Sequence, residues 1–301
     1  MTEPTGRRSG LLFGIGAYGS WGLFPAFFPL LKPAGAVEIL AHRIVWGFLF
    51  LLVVVAAVRR LRDLRSISGR TWLLLAAASV LISLNWLIYV YAVNNGHVVD
   101  AALGYFINPL VTVLLGLLLF RERLNRTQSL ALVIAVVAVL VLTVQLGGPP
   151  YIGLGLALTF GMYGAVKKVV PVDPRVSVGI ETALVTPAAL TYLIVLQSGG
   201  HGAFGAHGPG HLVLMVLAGV LTALPLLLFA AAAQRLPLVT MGLLFYVTPI
   251  MQMSWGILVG HEPMPTGRWI GFALIWLALG VFTVDAVVRA RSRRYAGGTR
   301  P

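Results

Sequence analysis

The chain has 301 residues, of which 58% are hydrophobic and only 10% charged, with a net charge of +13 and a mean hydropathy of +0.92. A soluble domain carries about 25% charged residues, so this chain lacks the polar surface needed to face water on all sides. It contains no cysteine, which excludes disulfides, thiol nucleophiles and thiolate metal sites.

Ten apolar runs, each close to the roughly 20 residues that cross a bilayer, follow one another along the chain. They cover residues 11–31, 37–58, 72–93, 101–120, 129–146, 151–166, 176–196, 212–233, 237–259 and 269–288. The first run is longer than the roughly 7–15 residues of a signal-peptide core, so it is counted as part of the fold. The pattern predicts an all-α integral membrane protein with ten transmembrane helices.

The basic residues predict the orientation of these helices. If the N-terminus lies in the cytoplasm, every lysine and arginine except Lys32, Arg43 and Arg268 falls in or beside a cytoplasmic segment. This positive-inside bias predicts that both termini are cytoplasmic, with residues 289–301 as a basic tail. Because the charges form short clusters between apolar runs, they indicate membrane topology and give no basis for a nucleic-acid partner.

Two stretches of the chain align without gaps at an offset of 140 residues. Tyr105-Phe106-Ile107-Asn108-Pro109 matches Phe245-Tyr246-Val247-Thr248-Pro249, and Gly116 and Glu122 match Gly256 and Glu262 in the same register. The alignment predicts two repeats, residues 10–146 and 151–288. Each repeat holds five spans, an odd number, so the second is inverted relative to the first. Inverted repeats are typical of secondary transporters, whose two halves open a central site to either side.

These motifs resemble the EamA-type branch of the drug/metabolite transporter superfamily. In that family each repeat carries a proline in its fourth helix and a glutamate shortly after it, as Pro109 with Glu122 and Pro249 with Glu262 do here. Four further runs look like RarD proteins, which are bacterial inner-membrane permeases of that superfamily. They are Ala41-His42-Arg43-Ile44-Val45-Trp46, Asn85-Trp86-Leu87, Ala92-Val93-Asn94-Asn95 and Leu103-Gly104-Tyr105-Phe106-Ile107-Asn108-Pro109-Leu110. The resemblance implies an inverted five-plus-five fold that transports small organic molecules across the bacterial inner membrane.

Two prolines and three polar stripes are candidates for a substrate cavity. Pro109 and Pro249 each remove a helical hydrogen bond, and kinks at corresponding places in two halves point to a midplane site; the alternative is a proline that only bends its helix. Helical spacing places the polar residues on shared faces: Tyr105, Asn108 and Thr112 in span four, Thr248, Gln252 and Trp255 in span nine, and Asn85 with Tyr89 in span three.

Amide side chains on these stripes would lack partners in lipid, so the stripes are expected to face the protein interior. Trp21, which aligns with Tyr163 of the second repeat, joins the same cavity. An aromatic and amide lining suits a planar or amphiphilic organic substrate. Helix–helix hydrogen bonding without any ligand is the alternative for each single amide.

Two charged residues at span depth carry further expectations. Arg43 lies about six residues into the second span, where an ionised group faces a cavity or a partner. Binding of an anionic substrate group, pairing with Glu38 or Asp100, and snorkelling to the headgroups all remain open. Glu181 lies near the cytoplasmic end of span seven and is a candidate carrier of a coupled proton, with an ordinary interfacial glutamate as the alternative.

No enzyme, metal or cofactor motif accompanies these residues. His-Glu-x-x-His, the phosphate-binding loop Gly-x-x-x-x-Gly-Lys-Ser/Thr and an aspartate pair at span depth are all absent from the sequence. His201, His207 and His211 stand among glycines in one loop, which favours a flexible loop over a metal site. We expect a secondary active permease that works as a monomer or homodimer among membrane lipids, with H+ or another ion as a coupling partner. A channel and a scaffold are the alternatives.

Overall fold

The computed structural model describes the backbone of residues 4–58, 67–121, 123–172, 174–236 and 238–297. Some residues that the sequence predictions rest on lie outside this description. They are Glu122, five of the arginines counted for the cytoplasmic bias (Arg59, Arg60, Arg62, Arg65 and Arg300) and the side chains of the basic tail. Within the described ranges the secondary structure is helical and contains no strand.

Twelve α-helices and one 3₁₀ helix make up the described chain. They are α1 (Pro4–Gly22), α2 (Phe24–Phe27), the 3₁₀ helix (Phe28–Leu31), α3 (Ala36–Val58), α4 (Gly69–Asn94), α5 (Val98–Phe120), α6 (Arg126–Leu146), α7 (Tyr151–Val169), α8 (Pro174–Ser198), α9 (Gly208–Ala233), α10 (Leu238–Phe245), α11 (Val247–Leu258) and α12 (Thr266–Gly297).

Eight helical stretches are long and apolar enough to cross a membrane, and a ninth is added if the bent pair Arg8–Gly22 and Phe24–Leu31 counts as one span. The chain is therefore a multi-pass membrane protein. The count differs from the ten predicted because α7 contains Lys167 and Lys168 together with four glycines, which lower its mean hydropathy.

Breaks in the helices follow prolines at two places. The first predicted span bends by 43° after Gly22, where Pro25 and Pro29 each begin a new short helix. Similarly, α10 ends at Phe245, four positions before Pro249. Because proline has no N–H, the carbonyl of Phe245 receives no helical hydrogen bond from position 249. In contrast, α5 continues through Pro109 without a break. The two aligned prolines thus lie in different local structures.

Several contacts between helices of residues 10–146 and helices of residues 151–288 come in exchanged pairs. The second helix of the first stretch, α3, packs on the third of the second stretch, α9, and α4 packs on α8 with the order reversed. In the same way, the contact of α1 with α9 corresponds to the contact of α4 with α7. The contact of α5 with α7 corresponds to the contact of α1 with α11. Helices of equal rank also meet, as in α3 with α8, α5 with α11 and α6 with α12. A two-fold arrangement has this property, because contact i with j implies contact j with i.

The N-terminus of α5 is held by a carboxylate from the other end of the chain. The side chain of Glu262 accepts hydrogen bonds from the amides of Val98 at 2.5 Å and Val99 at 3.0 Å. Close by, Arg268 bonds to Asp100 in the first turn of the same helix. An anion at a helix N-terminus satisfies free N–H groups and favours the helix dipole.

Removal of this cap is expected to destabilise the fold. Glu262→Ala should lower the free energy of unfolding by about 2 kcal/mol, because two buried amides lose a charged acceptor. Glu262→Gln keeps one acceptor oxygen and should lose about half as much. Denaturation of the purified protein at neutral pH measures both values. Equal stability of the alanine variant and the wild type would contradict the capping role.

The same carboxylate gives stability a pH dependence of known sign. Burial raises the pKa of Glu262 above its ordinary value, against the opposing effect of the Val99 and Val98 amides and Arg268. The folded state therefore binds this proton more tightly than the unfolded state. As the pH falls from neutral through the raised pKa, the wild type should gain stability relative to Glu262→Gln. Parallel pH profiles of the two thermal midpoints would contradict the shift.

Candidate functional site

Arg43 lies at the meeting point of helices from both ends of the chain. Its side chain is only 2% exposed, and its Nε donates a hydrogen bond to Thr222 Oγ1 of α9 at 2.9 Å. Its guanidinium carbon lies 4.8 Å from the ring centroid of Phe28, 5.1 Å from that of Trp86 and 5.5 Å from that of Phe24. A contact between a ring face and a cation that is shielded from water is worth about 2 kcal/mol.

Two tyrosines extend this aromatic environment. The ring of Tyr89 lies 5.8 Å from that of Tyr105 and 6.0 Å from that of Phe28. We define the central cluster as Arg43, Phe24, Phe28, Trp86, Tyr89 and Tyr105. The structure thus brings together three residues that the sequence predicted for the cavity, namely Arg43, Tyr89 and Tyr105.

Gln252 and Thr248 connect α11 to the C-terminal end of α1. Thr248 Oγ1 donates to the carbonyl of Tyr18 at 2.8 Å, and Gln252 Nε2 donates to the carbonyl of Trp21 at 3.1 Å. Because a carbonyl only accepts, these contacts orient the amide with Oε1 pointing away. That oxygen and the neighbouring Tyr89 hydroxyl are buried, and neither makes a hydrogen bond of good geometry with the described residues, although the Gln252 amide lies next to the hydroxyl.

The two predicted asparagines lie in different environments. Asn85 Nδ2 donates to the carbonyl of Leu156 at 2.9 Å and to Thr159 Oγ1 at 3.0 Å, which ties α4 to α7. Asn108 keeps a buried Oδ1 without a partner in the described part of the chain. Thr112 donates to the backbone carbonyl of Asn108 at 2.9 Å. One amide therefore joins two helices, and the other presents a free acceptor.

Glu181 and Trp255 lie in other surroundings. Both carboxylate oxygens of Glu181 are occupied: Lys167 Nζ and Ser177 Oγ each lie 2.6 Å from Oε1, and the Tyr163 hydroxyl lies 3.0 Å from Oε2. Glu181 is 3% exposed and belongs to a polar cluster between α7 and α8. The partly buried Trp255 side chain makes neither a hydrogen bond nor a ring contact with described residues.

Four residues around Arg43 were missed by sequence reasoning. Phe24 and Phe28 carry a usable signal, since they stand four residues apart on one helical face and each directly precedes a proline. Trp86 is adjacent to Asn85 in a motif already noted. Thr222 carries no such signal, because it is 179 residues from Arg43 and is flanked on both sides by apolar residues of α9.

Comparison with known proteins identifies the family. A model of the EamA-like transporter family matches residues 8–144. A protein of Streptomyces exfoliatus named RarD is 48% identical over 297 residues, covering 98% of this chain and 94% of the relative. The chain belongs to the EamA-like transporter family. It is a RarD-type permease of that family, so it is a membrane transporter.

Two further comparisons agree with this assignment. A Bacillus subtilis protein named uncharacterized transporter YojE is 42% identical to this EamA-like transporter, over 95% of the chain and 97% of the relative. A crystal structure of a protein with 16% sequence identity superposes with a TM-score of 0.61 and covers 93% of this chain and 99% of that one. At that identity the superposition shows a shared fold and nothing about ligands.

In this EamA-like transporter the central cluster has the chemistry of a binding site. It combines one buried positive charge, several aromatic rings and, close by, polar atoms without partners in the described structure. Buried polar groups are normally hydrogen-bonded, so the unpaired Arg43 Nη1 leaves the central cluster with a charged donor that a ligand can use. The matching family and the relatives are named as transporters, which points away from enzymatic activity.

The Lys167–Glu181 pair is expected to hold α7 against α8. Lys167→Met leaves the buried Glu181 carboxylate without its cation and should lower the free energy of unfolding by about 2 kcal/mol. Glu181→Gln should cost less, because Lys167 is 19% exposed and its amine can turn towards water. The double variant should recover most of the loss. A double-mutant cycle measures the coupling, and strictly additive losses would contradict a direct pair.

Proposed function

We propose that this chain is a secondary active transporter that moves a small organic molecule across the bacterial inner membrane by alternating access. In this proposal the bent pair α1–α2 and helix α7 also count as spans. Ten membrane crossings then form two inverted five-helix repeats, residues 10–146 and 151–288, with both termini in the cytoplasm. Support comes from the offset of 140 residues and from the exchanged pairs of helix contacts.

The buried Arg43 is the observation that carries the proposal. It is bonded to Thr222 on a helix of the second repeat and surrounded by rings from the first. A guanidinium in the interior of a membrane protein is costly and is usually kept for a function. A site at the interface of two related halves becomes accessible to one side or the other when the halves rock against each other.

Transport is tested by counterflow into proteoliposomes that contain the purified protein. Labelled organic acids, amines, amino acids and neutral metabolites are screened, and uptake that saturates and exchanges with unlabelled solute is the expected result. Conductance without saturation would indicate a channel instead. If no solute gave flux or conductance, a scaffold would be the remaining function. Repeating the assay with imposed proton and sodium gradients identifies the coupling ion.

The topology is tested with single cysteines, for which the natural absence of cysteine removes all background. Arg70→Cys and Arg235→Cys should be protected from a membrane-impermeant maleimide in intact cells. His201→Cys and His261→Cys should react with it. All four positions are exposed in the structure, so protection reports the membrane side and not burial. Labelling of all four, or the reversed pattern, would contradict the proposed orientation.

A further inference from the structure

The charge of Arg43 has no carboxylate partner among the residues that the structure describes. Each of the five acidic residues in those ranges bonds to another group. Glu38 accepts from the Ala203 amide, Asp100 pairs with Arg268, Glu181 pairs with Lys167, Glu262 caps α5 and Asp285 accepts from Asn125. The sequence-based alternatives of pairing with Glu38 or Asp100 are therefore not what the structure contains.

Arg43 also has unused hydrogen-bonding capacity. A guanidinium has five N–H donors and never loses its charge in proteins. Nε bonds to Thr222, while Nη1 is buried and has no acceptor in the described structure. The nearby Tyr89 hydroxyl is a second buried donor, and its polar neighbour is the Gln252 amide. Arg43 Nη1 and the Tyr89 hydroxyl can each donate to one oxygen of a carboxylate, because both of its oxygens accept.

The surroundings favour a particular kind of anion. The aromatic side chains Phe28, Trp86, Tyr89 and Tyr105 offer ring faces and edges to a flat apolar body. One guanidinium is the only cation of the central cluster, so a single negative charge is neutralised and a second would stay uncompensated. No acidic side chain belongs to the cluster, which disfavours a cationic substrate.

We propose that the central cluster binds a small organic carboxylate, with the acid group on Arg43 and Tyr89 and a flat apolar body against the surrounding rings. This substrate class rests on the proposed transport function and makes it more specific. The Gln252 amide lies beside the Tyr89 hydroxyl, and once that hydroxyl donates to the acid its Oε1 accepts from an N–H or O–H of the same ligand. Binding of the acid supplies the counter-charge that Arg43 lacks.

Three compounds with the same ring and different charge test the proposal: phenylacetate, phenylacetamide and phenethylamine. A ligand that binds the folded state raises the thermal midpoint by mass action. Only phenylacetate is expected to raise the midpoint of the wild type. Arg43→Gln should weaken phenylacetate binding by about 100-fold or more, whereas Arg43→Lys should keep the preference for the acid with weaker binding. Arg235→Gln, at an exposed arginine, serves as the matched control and should bind as the wild type does.

Several outcomes would overturn the carboxylate assignment. Equal midpoint shifts with all three compounds, no shift with phenylacetate, or an undiminished shift in Arg43→Gln would each do so. Tighter binding of benzylphosphonate than of phenylacetate would also overturn it, in favour of a dianion. The counterflow screen separates this failure from failure of the transport proposal. Saturable flux without preference for acids keeps the transporter and removes the substrate class, whereas absence of flux for every solute removes the transporter.

Discussion

Replacing Arg43 by methionine is expected to abolish transport while leaving the folded protein as stable as the wild type, to within about 1 kcal/mol. Transport should fall by about 100-fold or more, because the substrate loses its only charged partner. Two opposing effects set the stability. Burial of a guanidinium costs several kcal/mol, and its ring contacts return roughly 2 kcal/mol each. Methionine removes both and fills a similar space among the rings.

Loss of the arginine leaves no neighbour without a bond. The Thr222 hydroxyl donates to the carbonyl of Ala218 at 2.7 Å and keeps that bond in the variant. The matched control is Arg268→Met, at an arginine of similar burial that pairs with Asp100 and donates to the Pro263 carbonyl at 3.0 Å. That change should cost about 2 kcal/mol, because Asp100 loses its arginine partner and keeps only the contact with His97 at 3.2 Å. Unfolding in detergent and counterflow measure the two effects separately.

The comparison between the two arginines decides the role of Arg43. If Arg43→Met destabilises the protein as much as Arg268→Met does, then Arg43 is a structural residue. If Arg43→Met transports normally, the cluster is not the substrate site. A purely structural arginine would not give a stable but inactive variant. Residues needed for function are often kept although they lower stability, so replacing one can remove activity without a loss of stability.

Helix spacing predicted part of the central cluster and its neighbours. Tyr105 and Asn108 share a face of α5 because helical residues three apart lie side by side, and this holds whatever the helix packs against. Spacing does not specify the partner on another helix. Asn85 shares a face with Tyr89, yet its amide bonds to Leu156 and Thr159 of α7. The pairing partner depends on tertiary packing, which helical periodicity does not encode.

Hydropathy predicted the membrane class but not every span. Runs rich in leucine and valine, such as α6, are identified as membrane spans from their hydropathy alone, because a bilayer accommodates them. The predicted span with the weakest hydropathy signal is α7, in which glycines take the place of large apolar residues. Two of these, Gly153 and Gly161, allow close approach to Gly104 and Val111 of α5. Close helix packing and high hydropathy favour different residues, so a helix that packs closely scores poorly as a span.

Some contacts had a signal in the sequence that only the structure explains. The alignment paired Gly256 with Gly116, and a Cβ at Gly256 would lie 3.1 Å from Glu262 Oε1 and 3.2 Å from the Val99 amide nitrogen. The glycine therefore leaves room for the cap on α5. Pro25 and Pro29 likewise marked the bend of the first span, which hydropathy alone treated as one straight helix.

Substitution of Gly219 by alanine is expected to disrupt the crossing of α3 and α9 on which the central cluster depends. A Cβ at Gly219 would overlap the Gly47 nitrogen and the backbone and Cβ of Trp46. Backbone atoms cannot turn aside as a flexible side chain does, so the two helices must separate. Because Arg43 lies one turn before Gly47 and Thr222 one turn after Gly219, separation also breaks their hydrogen bond.

The expected loss is about 3 kcal/mol of unfolding free energy, at the upper end of the range for overpacking, together with most of the transport. The same substitution elsewhere supplies the controls. At Gly47 a Cβ would lie 3.4 Å from the Gly219 carbonyl oxygen, an ordinary contact, so Gly47→Ala should cost less than about 1 kcal/mol. At Gly280 in α12 no described atom lies within 4 Å, and alanine should be neutral or stabilising by about 0.5 kcal/mol.

A graded series therefore separates helix crossing from helix propensity. If propensity governed all three positions, the three alanine variants would be equally stable or slightly more stable than the wild type. If the crossing governs, stability should fall in the order Gly280→Ala, Gly47→Ala, Gly219→Ala, and transport should follow the same order. Transport lost in Gly219→Ala without loss of stability would show instead that the crossing moves during the cycle. In that case the contact between α3 and α9 is part of the alternating mechanism and not a fixed support for Arg43.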